Sequence, residues 1–332
     1  MINLDYSTLG HLTQIFGPSG SEELVAKYIS TQLRPYCDEL KTDTLGNLIV
    51  TRHGTGKKIM VAAHMDEIGL MITHIDQEGF LRFTPLGGVR IPNLVGQRVE
   101  LSRGRVGTVG VEKLDKPRDF KLDKLYLDIG ASSREEAEQI AHIGETAVFM
   151  GDFVESGSRI IAKALDDRIG CFIAMEAFKR AKSPHELAFV FTAQEEIGTR
   201  GAKTAAYALE PDLAIAVDVT ATGDTPKAHT MSVKLGSGVG IKVLDRSMIT
   251  SPQIKRWMAA VATERNIPFQ WEVLEYGGTD SGAIHLSRGG VPSGVLSIPT
   301  RYVHSPAEMI DKRDVEAAVD LLVALLESAA EL

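Results

Sequence analysis

The segment Leu187–Gly198, LAFVFTAQEEIG, joins an apolar run to two adjacent glutamates. Leu187–Thr192 has the length and composition of a buried strand, and Glu195 and Glu196 follow where that strand ends. Adjacent carboxylates repel each other, so a folded protein must supply cations or hydrogen bonds, or keep one carboxyl protonated. A metal ion supplies the compensating charge most directly. The segment therefore predicts a metal site at the end of a strand.

Other predicted strands also end close to a histidine or an aspartate. His64 follows KKIMVAA at 57–63, Asp218 follows LAIAV at 213–217, and His304 lies in the loop after a strand at 295–298. Helices are predicted among these strands, at 168–182, 202–208 and 253–266, and from Asp314 onward. This alternation is typical of an α/β domain, in which ligands bind beyond the carboxyl ends of the strands.

The middle of the chain has a different texture. Between about 69 and 159, short β-rich pieces are separated by glycines, and Ser133 with Glu136 forms a capping box for one short helix. Many short strands favour a small β-barrel or sandwich over βαβ units. We therefore predict one α/β domain, residues 1–68 plus 160–332, interrupted by a β-rich insert at 69–159. Gly236–Gly240 lacks GxGxxG spacing and is predicted to be a turn.

Composition narrows the range of partners and compartments. The formal charge of the 332 residues is −8 and there is no long basic run, which argues against nucleic acid or an anionic membrane as the main partner. Cys37 and Cys171 have no CxxC spacing and are typical of buried thiols in a reducing cytosol. The start lacks the features of a signal peptide, and no apolar run reaches the length of a membrane span. These observations predict a cytoplasmic protein.

Taken singly, each candidate ligand has an ordinary explanation. Asp166 and Asp167, in KALDDR at 163–168, could be caps and dipole partners of the following helix, and two glutamates could be solvated at a helix start. Taken together, five strand or loop ends supply two histidines and several carboxylates. This mixed nitrogen and oxygen set suits Zn²⁺, Co²⁺ or Mn²⁺. Whether Asp166 or Asp167 would bridge two ions stays open.

Several motifs, in order along nearly the whole chain, resemble the M42 family of metallo-aminopeptidases, the tetrahedral and glutamyl aminopeptidase group whose members are often labelled endoglucanases. They are SGSE at 19–22, DTLGN at 43–47, AHMDEIG at 63–69, GQRV at 96–99, KALDDR at 163–168, QEEIG at 194–198, GGTD at 277–280 and YVHS at 302–305. The resemblance implies a mixed-sheet α/β/α metallopeptidase domain with an inserted PDZ-like β-barrel. It also implies a homo-oligomer, with a tetrahedral dodecamer as one form.

The resemblance also implies roles for single residues. His64 and Asp218 would bind one metal, Glu196 and His304 would bind the other, and Asp166 would bridge the two metals. The peptide bond that follows the bridging residue, Asp166–Asp167, would be cis. Glu195 would be the general base acting on a metal-bound water, with Asp66 a carboxylate behind the site. Thr279 and Asp280 would line the substrate cleft. The implied reaction removes N-terminal residues from short peptides with a free N-terminus, using two divalent ions, Zn²⁺ or Co²⁺ ahead of Mn²⁺.

Two other functions are less consistent with these residues. A glycoside hydrolase with Glu195 and Glu196 as acid and nucleophile is disfavoured. That chemistry needs carboxyl groups ~5–10 Å apart, and adjacent residues rarely give this separation. A scaffold protein using the β insert would not need a full set of ligands and a base. Arg90, Arg246 and Arg301 are each candidates for a pocket that binds an acidic side chain, although a solvated surface arginine is the expected account for any one of them.

Overall fold

The computed structural model describes residues 4–328, and its largest element is an eight-stranded mixed sheet. Strand order across the sheet is β1-β2-β12-β3-β13-β16-β14-β15. The four strands β12, β3, β13 and β16 are mutually parallel. The pairs β1–β2, β2–β12 and β14–β16 are antiparallel. The strands of this sheet are β1 (Glu39–Thr42), β2 (Leu48–Arg52), β3 (Lys58–His64), β12 (Glu186–Thr192), β13 (Leu213–Thr220), β14 (Val239–Leu244), β15 (Phe269–Val273) and β16 (Ser293–Pro299).

Helices cover both faces of the sheet. Alternate residues of β3 show this directly: Ile59 and Val61 lie in the large core that also contains residues of α4 and α8, while Met60 and Ala62 pack with residues of α5 and α7. Successive side chains of a strand point to opposite faces of the sheet, and in an α/β/α domain helices bury both faces. The predicted α/β/α fold is thus confirmed. Helix bounds are α1 (Tyr6–Gln14), α2 (Glu23–Leu33), α3 (Arg134–Ile140), α4 (Leu165–Arg180), α5 (Arg200–Leu209), α6 (Pro252–Glu264), α7 (Asp280–Ile284) and α8 (Lys312–Glu327).

The insert contains a closed six-stranded antiparallel barrel with its own apolar core. Its strands close in the order β4-β5-β8-β7-β6-β9 and all lie between Gly69 and Phe149. The predicted β-barrel is therefore confirmed. Strand bounds are β4 (Gly69–Ile75), β5 (Leu81–Leu86), β6 (Arg98–Leu101), β7 (Val106–Val111), β8 (Leu125–Asp128) and β9 (Thr146–Phe149). The Ser133 side chain caps α3 by accepting from the main-chain N–H of Glu136, as the capping box predicts.

A three-stranded antiparallel sheet links the end of the insert to the C-terminal part of the chain. It consists of β10 (Val154–Ser156), β11 (Arg159–Ala162) and β17 (Glu308–Asp311). Its first strand falls inside the predicted insert but does not belong to the barrel. The domain limits at 69 and 159 stay a prediction, and residues 1–3 and 329–332 of the predicted α/β domain lie outside the described residues.

Two local predictions were correct only in part. β13 continues to Thr220, so Asp218 lies inside the strand and not beyond its end. The predicted turn at Gly236–Gly240 is present at its first residues, but it ends earlier than predicted because β14 begins at Val239. Among residues 4–328, none of the helices combines the length and the apolar character needed to cross a bilayer.

Candidate metal centre

Strand direction brings most of the predicted site residues to one edge of the sheet. The strands β3, β12, β13 and β16 are parallel, so their carboxyl ends share that edge. His64 is the last residue of β3 and pairs in register with Thr192, the last residue of β12. Glu195 and Glu196 follow β12, Asp218 lies two residues before the end of β13, and His304 follows β16.

Asp166 lies between the two histidines. Its Oδ1 atom is 3.1 Å from Nε2 of His64, and its Oδ2 atom is 3.2 Å from Nε2 of His304. Asp167 points elsewhere, accepting from the main-chain N–H of His64 at 3.2 Å and of Gly170 at 3.0 Å. The peptide bond between the two aspartates is cis, as the resemblance implies. Of the two candidates for a bridging ligand, only Asp166 faces both imidazoles.

The ligand atoms form two groups that share Asp166. His64, Asp166 and Asp218 make the first group; Asp166, Glu196 and His304 make the second, and within each group the ligand atoms lie within 4.8 Å of one another. This spacing is what two neighbouring cations with a common carboxylate would need. The structure thus brings together all five predicted ligands; their roles as ligands stay predictions.

Hydrogen bonds orient each imidazole so that Nε2 faces the site. Nδ1 of His64 lies 3.0 Å from the carbonyl oxygen of Asp66, and Nδ1 of His304 lies 3.1 Å from the carbonyl oxygen of Gly88. A carbonyl oxygen can only accept, so each Nδ1 must carry the proton and donate it. In the neutral form of each ring, Nε2 is then the nitrogen that can bind a cation, the arrangement common in histidines that bind metals.

The two adjacent glutamates face different histidines. Oε2 of Glu195 lies 4.0 Å from Nε2 of His64, whereas Oε1 of Glu196 lies 3.3 Å from Nε2 of His304. Asp66 holds the main chain of the pair from behind: its Oδ1 accepts from the N–H of Glu195 at 2.9 Å and its Oδ2 from the N–H of Glu196 at 3.2 Å. The predicted position of Asp66 behind the site agrees with this geometry.

The site combines several buried carboxyl groups with two imidazoles. Burial raises the pKa of Glu195 and of Asp218 well above the usual carboxyl range, and it also raises the pKa of Glu196. Burial opposes a charged imidazole at His304, yet the charge of Glu196 and a hydrogen bond to Asp166 raise its pKa to about 12. Oε1 of Glu196 is buried and, among residues 4–328, has an ionic contact with Nε2 of His304 but no well-formed hydrogen bond. Donor types, spacing and the excess of carboxylates all suit divalent cations.

Comparison with known families identifies the family of the chain. The sequence model described as M42 glutamyl aminopeptidase matches residues 46–321. The chain belongs to the M42 peptidase family. That span contains all five candidate ligands together with Glu195, and the predicted family is confirmed.

Relatives of this M42 chain match it over nearly its whole length. A putative aminopeptidase of Acetivibrio thermocellus is 52% identical over 96% of this chain and 97% of its own. The lysyl aminopeptidase of Pyrococcus furiosus is 38% identical over 98% and 97%. The solved TET1 peptidase of Pyrococcus horikoshii, described as assembling into a tetrahedron or a large octahedral shell, is 36% identical with a TM-score of 0.87, covering 97% and 99%.

A cavity of about 550 Å³ opens above the candidate ligands of this M42 chain. Apolar side chains from the segments after Asp218 and before Gly277 form part of its wall, and Glu195 is also exposed to it. The barrel contributes Gly88 and Arg90 to the lining. The insert of this M42 chain therefore lines the cavity above the candidate ligands, a contribution that the sequence did not suggest.

Thr279 and Asp280, the predicted cleft residues, lie below the cavity. Both side chains are buried, and the Thr192 hydroxyl donates to Oδ2 of Asp280 at 2.5 Å. Among the described residues that line the cavity, their neighbours Gly277 and Gly278 are present and these two are not. Burial raises the pKa of Asp280 to about 6. The geometry supports a role behind the candidate ligands, and direct contact with a substrate stays a prediction.

Sequence reasoning missed one carboxylate next to the ligands. Glu308 is buried at the start of β17 and accepts from the main-chain N–H groups of Asp166 and His304. Nothing in the local sequence marks it, because a glutamate four residues after His304 resembles any polar residue of a loop. Only the pairing of β17 with β11, far away in sequence, brings it to the site.

Proposed function

We propose that this chain is a metal-dependent aminopeptidase that removes N-terminal residues from short peptides with a free N-terminus. One observation carries the proposal: the two oxygens of Asp166 face different histidines, and each histidine has further carboxylates beside it. We assign His64, Asp166 and Asp218 to one divalent ion and Asp166, Glu196 and His304 to a second. Zn²⁺ or Co²⁺ fits these donors best, with Mn²⁺ as a further candidate.

Bound divalent ions would supply Lewis acidity, which makes water more acidic and polarises a carbonyl oxygen. Glu195 is the residue that moves the proton in this proposal. It lies on the His64 side of the site, faces the cavity and is not needed in either ligand group. Its carboxylate takes a proton from the water that attacks the scissile carbonyl carbon. As the C–N bond breaks, Glu195 returns that proton to the leaving amine nitrogen.

Asp66 and the two histidine contacts hold this arrangement in place. Because Asp66 accepts from both main-chain N–H groups of the glutamate pair, Glu195 and Glu196 cannot exchange sides without breaking a buried hydrogen bond. The contact of His304 with the Gly88 carbonyl fixes its ring from the barrel side. The chain thereby keeps one glutamate available as a base while the other is assigned to a cation.

We further propose that the chain forms a homo-oligomer, with a dodecamer as the expected form. The proposal is supported by the match to the TET1 peptidase of Pyrococcus horikoshii and to a related structure described as a dodecamer.

No observation on the site favours the glycoside hydrolase hypothesis or the scaffold hypothesis, since neither function requires two histidines to converge on one carboxylate.

The test compares two isosteric variants of adjacent residues. We expect Glu195→Gln to lower turnover of an aminoacyl anilide by about 10²–10⁴-fold, the usual contribution of a general base, while metal content stays at the wild-type value. Glu196→Gln should lose metal, because an amide is a poorer ligand than a carboxylate. Metal content is measured by elemental analysis of the same samples.

Chelation supplies the control for the reaction class. Wild-type activity should vanish with a chelator and return with Co²⁺ or Zn²⁺. Activity that survives complete removal of metal, or a Glu195→Gln variant with wild-type turnover, would contradict the proposal. A wild-type protein that binds no metal and cleaves no aminoacyl substrate would instead support the scaffold reading.

A further inference from the structure

Glu308 uses both of its carboxylate oxygens on the main chain of two candidate ligands. Its Oε1 atom accepts from the N–H of His304 at 2.7 Å, and its Oε2 atom accepts from the N–H of Asp166 at 2.9 Å. The side chain is 2% exposed. Asp166 and His304 are far apart in sequence, and both belong to the second ligand group. One buried carboxylate therefore links the two backbone segments that carry this group.

Both segments depart from ordinary backbone geometry near the point where Glu308 holds them. His304 has φ of 62° and Tyr302 has φ of 60°, values in the left-handed region that favours glycine. Ala164, two residues before Asp166, has φ of 52° and offers no side chain to cap α4. A non-glycine residue in this region is strained and persists only where its surroundings hold it. Glu308 supplies an external hydrogen bond to each of these segments.

The surroundings of Glu308 exclude a direct role toward a substrate. Glu308 is absent from the described residues that line the large cavity. It borders instead a void of about 10 Å³, which is too small for a peptide. The same void is bordered by Lys163, which forms a buried ion pair with Glu67, so that a positive charge lies on this side of the site.

We propose that Glu308 is a positioning residue that sets the separation between Asp166 and His304 and so preorganises the second cation position. The inference rests on the proposed metal centre. The carboxylate does this through geometry: two parallel acceptors on one rigid group fix two donors relative to each other, which a single acceptor cannot do. Residues that orient ligands from behind typically change metal affinity or activity by about 10–100-fold when they are replaced.

Two substitutions test whether Glu308 sets the separation between Asp166 and His304. Glu308→Gln keeps the shape but leaves one oxygen to accept, and its amide N–H₂ meets the other main-chain N–H. Glu308→Asp keeps the charge but is one methylene shorter, so it cannot reach both donors. For each variant we expect the second equivalent of Co²⁺ to bind about 10–100-fold more weakly and its visible absorption spectrum to change. Calorimetric titration of the metal-free protein measures the affinity without using activity.

A buried glutamate elsewhere provides the matched control. Glu145, in the barrel, is 3% exposed and accepts from the Ser102 hydroxyl, so Glu145→Gln removes a comparable buried charge without touching the site. It should leave both Co²⁺ affinities unchanged. Glu308 variants that bind two Co²⁺ ions with wild-type affinity and spectrum would overturn the positioning role of Glu308. A wild-type protein that binds no Co²⁺ would refute the metal centre itself. If Glu308→Gln does not fold by circular dichroism, Glu308→Asp decides the matter.

A second inference concerns the side chain that the cavity accepts. Its wall carries the apolar side chains of Val219, Ala221, Leu274, Tyr276 and Val303. Every carboxylate among the described lining residues is a candidate ligand or Glu195, so a lysine or arginine side chain would find no spare partner there. An unpaired ammonium group is costly to remove from water.

The arginines singled out in the sequence do not supply an acid-binding pocket on this wall. Arg301 is occupied by Asp224, to which its Nε and Nη2 donate at 3.0 and 2.8 Å. Arg246 does not line the cavity among the described residues. Arg90 does, but it is exposed and follows Gly88, whose carbonyl contacts His304, whereas the apolar wall begins at Val219, next to Asp218.

We infer that the enzyme prefers a large apolar N-terminal residue such as leucine or methionine, an inference that rests on the proposed aminopeptidase function. Leucyl, lysyl and glutamyl anilides, compared with Co²⁺ present, test it. We expect kcat/KM for leucine to exceed both others by about tenfold or more, as apolar pockets discriminate by 10–200-fold. Arg90→Ala should leave that order unchanged. A lysine or glutamate preference would overturn the inference, whereas no cleavage of any substrate would refute the aminopeptidase function.

Discussion

At the scale of single residues, Asp66 shows how one side chain can hold two others. Its oxygens accept from the main-chain N–H groups of Glu195 and Glu196, and its Oδ2 also accepts from the Ser19 hydroxyl at 2.6 Å. The side chain is fully buried, so no water can replace a lost acceptor easily. The two glutamates therefore depend on Asp66 for their direction.

We predict that Asp66→Asn lowers kcat by about 10–100-fold while the protein still binds metal. An asparagine offers one acceptor oxygen, so one glutamate N–H loses its partner and that glutamate can turn away. Steady-state kinetics with metal analysis measure the effect. Asp38→Asn is the control, because Asp38 is an exposed aspartate that also accepts from a main-chain N–H, that of His53 at 2.7 Å. An unchanged kcat for Asp66→Asn would show that the pair is held by other contacts.

The residues that sequence reasoning could identify share a simple property: they lie next to apolar strands. His64 and Glu196 carry charge or a ring nitrogen at the end of a buried run, where such groups are costly without a function. Asp218 was also found this way, although its strand continues past it. Glu308 could not be found, because its two hydrogen bonds depend on the pairing of β17 with β11 and leave no trace in nearby residues.

At the scale of elements, the loop after β5 connects the barrel to the site through Gly88. A Cβ atom added there would lie 2.4 Å from Nδ1 of His304. This close approach is possible only for glycine, and it allows the Gly88 carbonyl to accept from the His304 ring. The barrel is thus a structural support for one candidate ligand as well as a separate folding unit.

We predict that Gly88→Ala weakens binding of one metal equivalent by about 10–100-fold, since the methyl group must displace the His304 ring. Titration of the metal-free protein with Zn²⁺ measures the change. Gly289→Ala is the matched control, because an added Cβ there meets no atom within 4 Å and the residue has no left-handed φ. Equal affinities for the two variants would mean that the His304 ring does not depend on Gly88.

Buried charges explain why one strand was not predicted. β14 contains Lys242, which is fully buried and hydrogen-bonds Glu272 of the neighbouring edge strand β15. A lysine in a short run next to glycines resembles an exposed loop, because lysine is almost never fully buried unless it is paired. Its partner lies thirty residues further along the chain. The strand therefore depends on a tertiary ion pair that periodicity cannot reveal.

The N-terminus of α8 carries a titratable group whose effect on stability has a definite sign. Asp314 accepts from the N–H groups of Gly236 and Gly238 at 2.6 and 2.7 Å. Burial raises its pKa to about 6, against about 3.9 in an unfolded chain. Between these two values the folded protein keeps a proton that the unfolded chain releases. The stabilisation by Asp314 is therefore present below pH ~4 and is lost as the pH rises through about 6.

We predict that wild-type protein loses about 2–3 kcal/mol of unfolding free energy relative to Asp314→Asn between pH 4 and 7. Asparagine does not titrate, so its own cost is constant, and the titration of all other groups cancels in the difference. Urea denaturation at several pH values gives the two curves. A difference that stays constant with pH, or that grows in favour of the wild type, would show that Asp314 does not keep its proton in the folded state.

At the scale of the whole molecule, a barrel inserted into an α/β/α domain leaves apolar side chains at the surface. Val95, Val106 and Ile143 of the barrel are 42%, 43% and 63% exposed. Single exposed apolar residues are normal in monomers, so these side chains alone do not prove an interface. The similar TET1 peptidase of Pyrococcus horikoshii assembles into shells. If copies of this chain also assemble, contact between them would remove such groups from water.

The architecture could be predicted from the sequence to a large extent, because strand alternation and glycine spacing differ between 1–68, 69–159 and 160–332. The contact between barrel and metal site could not be predicted. It depends on a carbonyl oxygen at Gly88, and a main-chain atom has no sequence signature. The same limit applies to any assembly, since an interface is a property of folded surfaces in register and not of local composition.

We predict that the purified chain has a mass twelve times the 36.0 kDa of one copy. Native mass spectrometry gives the number of copies, and small-angle scattering distinguishes a hollow shell from a compact particle of equal mass. Glu195→Gln should assemble like the wild type, because Glu195 lies in the cavity wall and its replacement leaves the surface unchanged. A stable species of 36.0 kDa at micromolar concentration would contradict the assembly while leaving the metal site untouched, since each copy carries a complete set of candidate ligands.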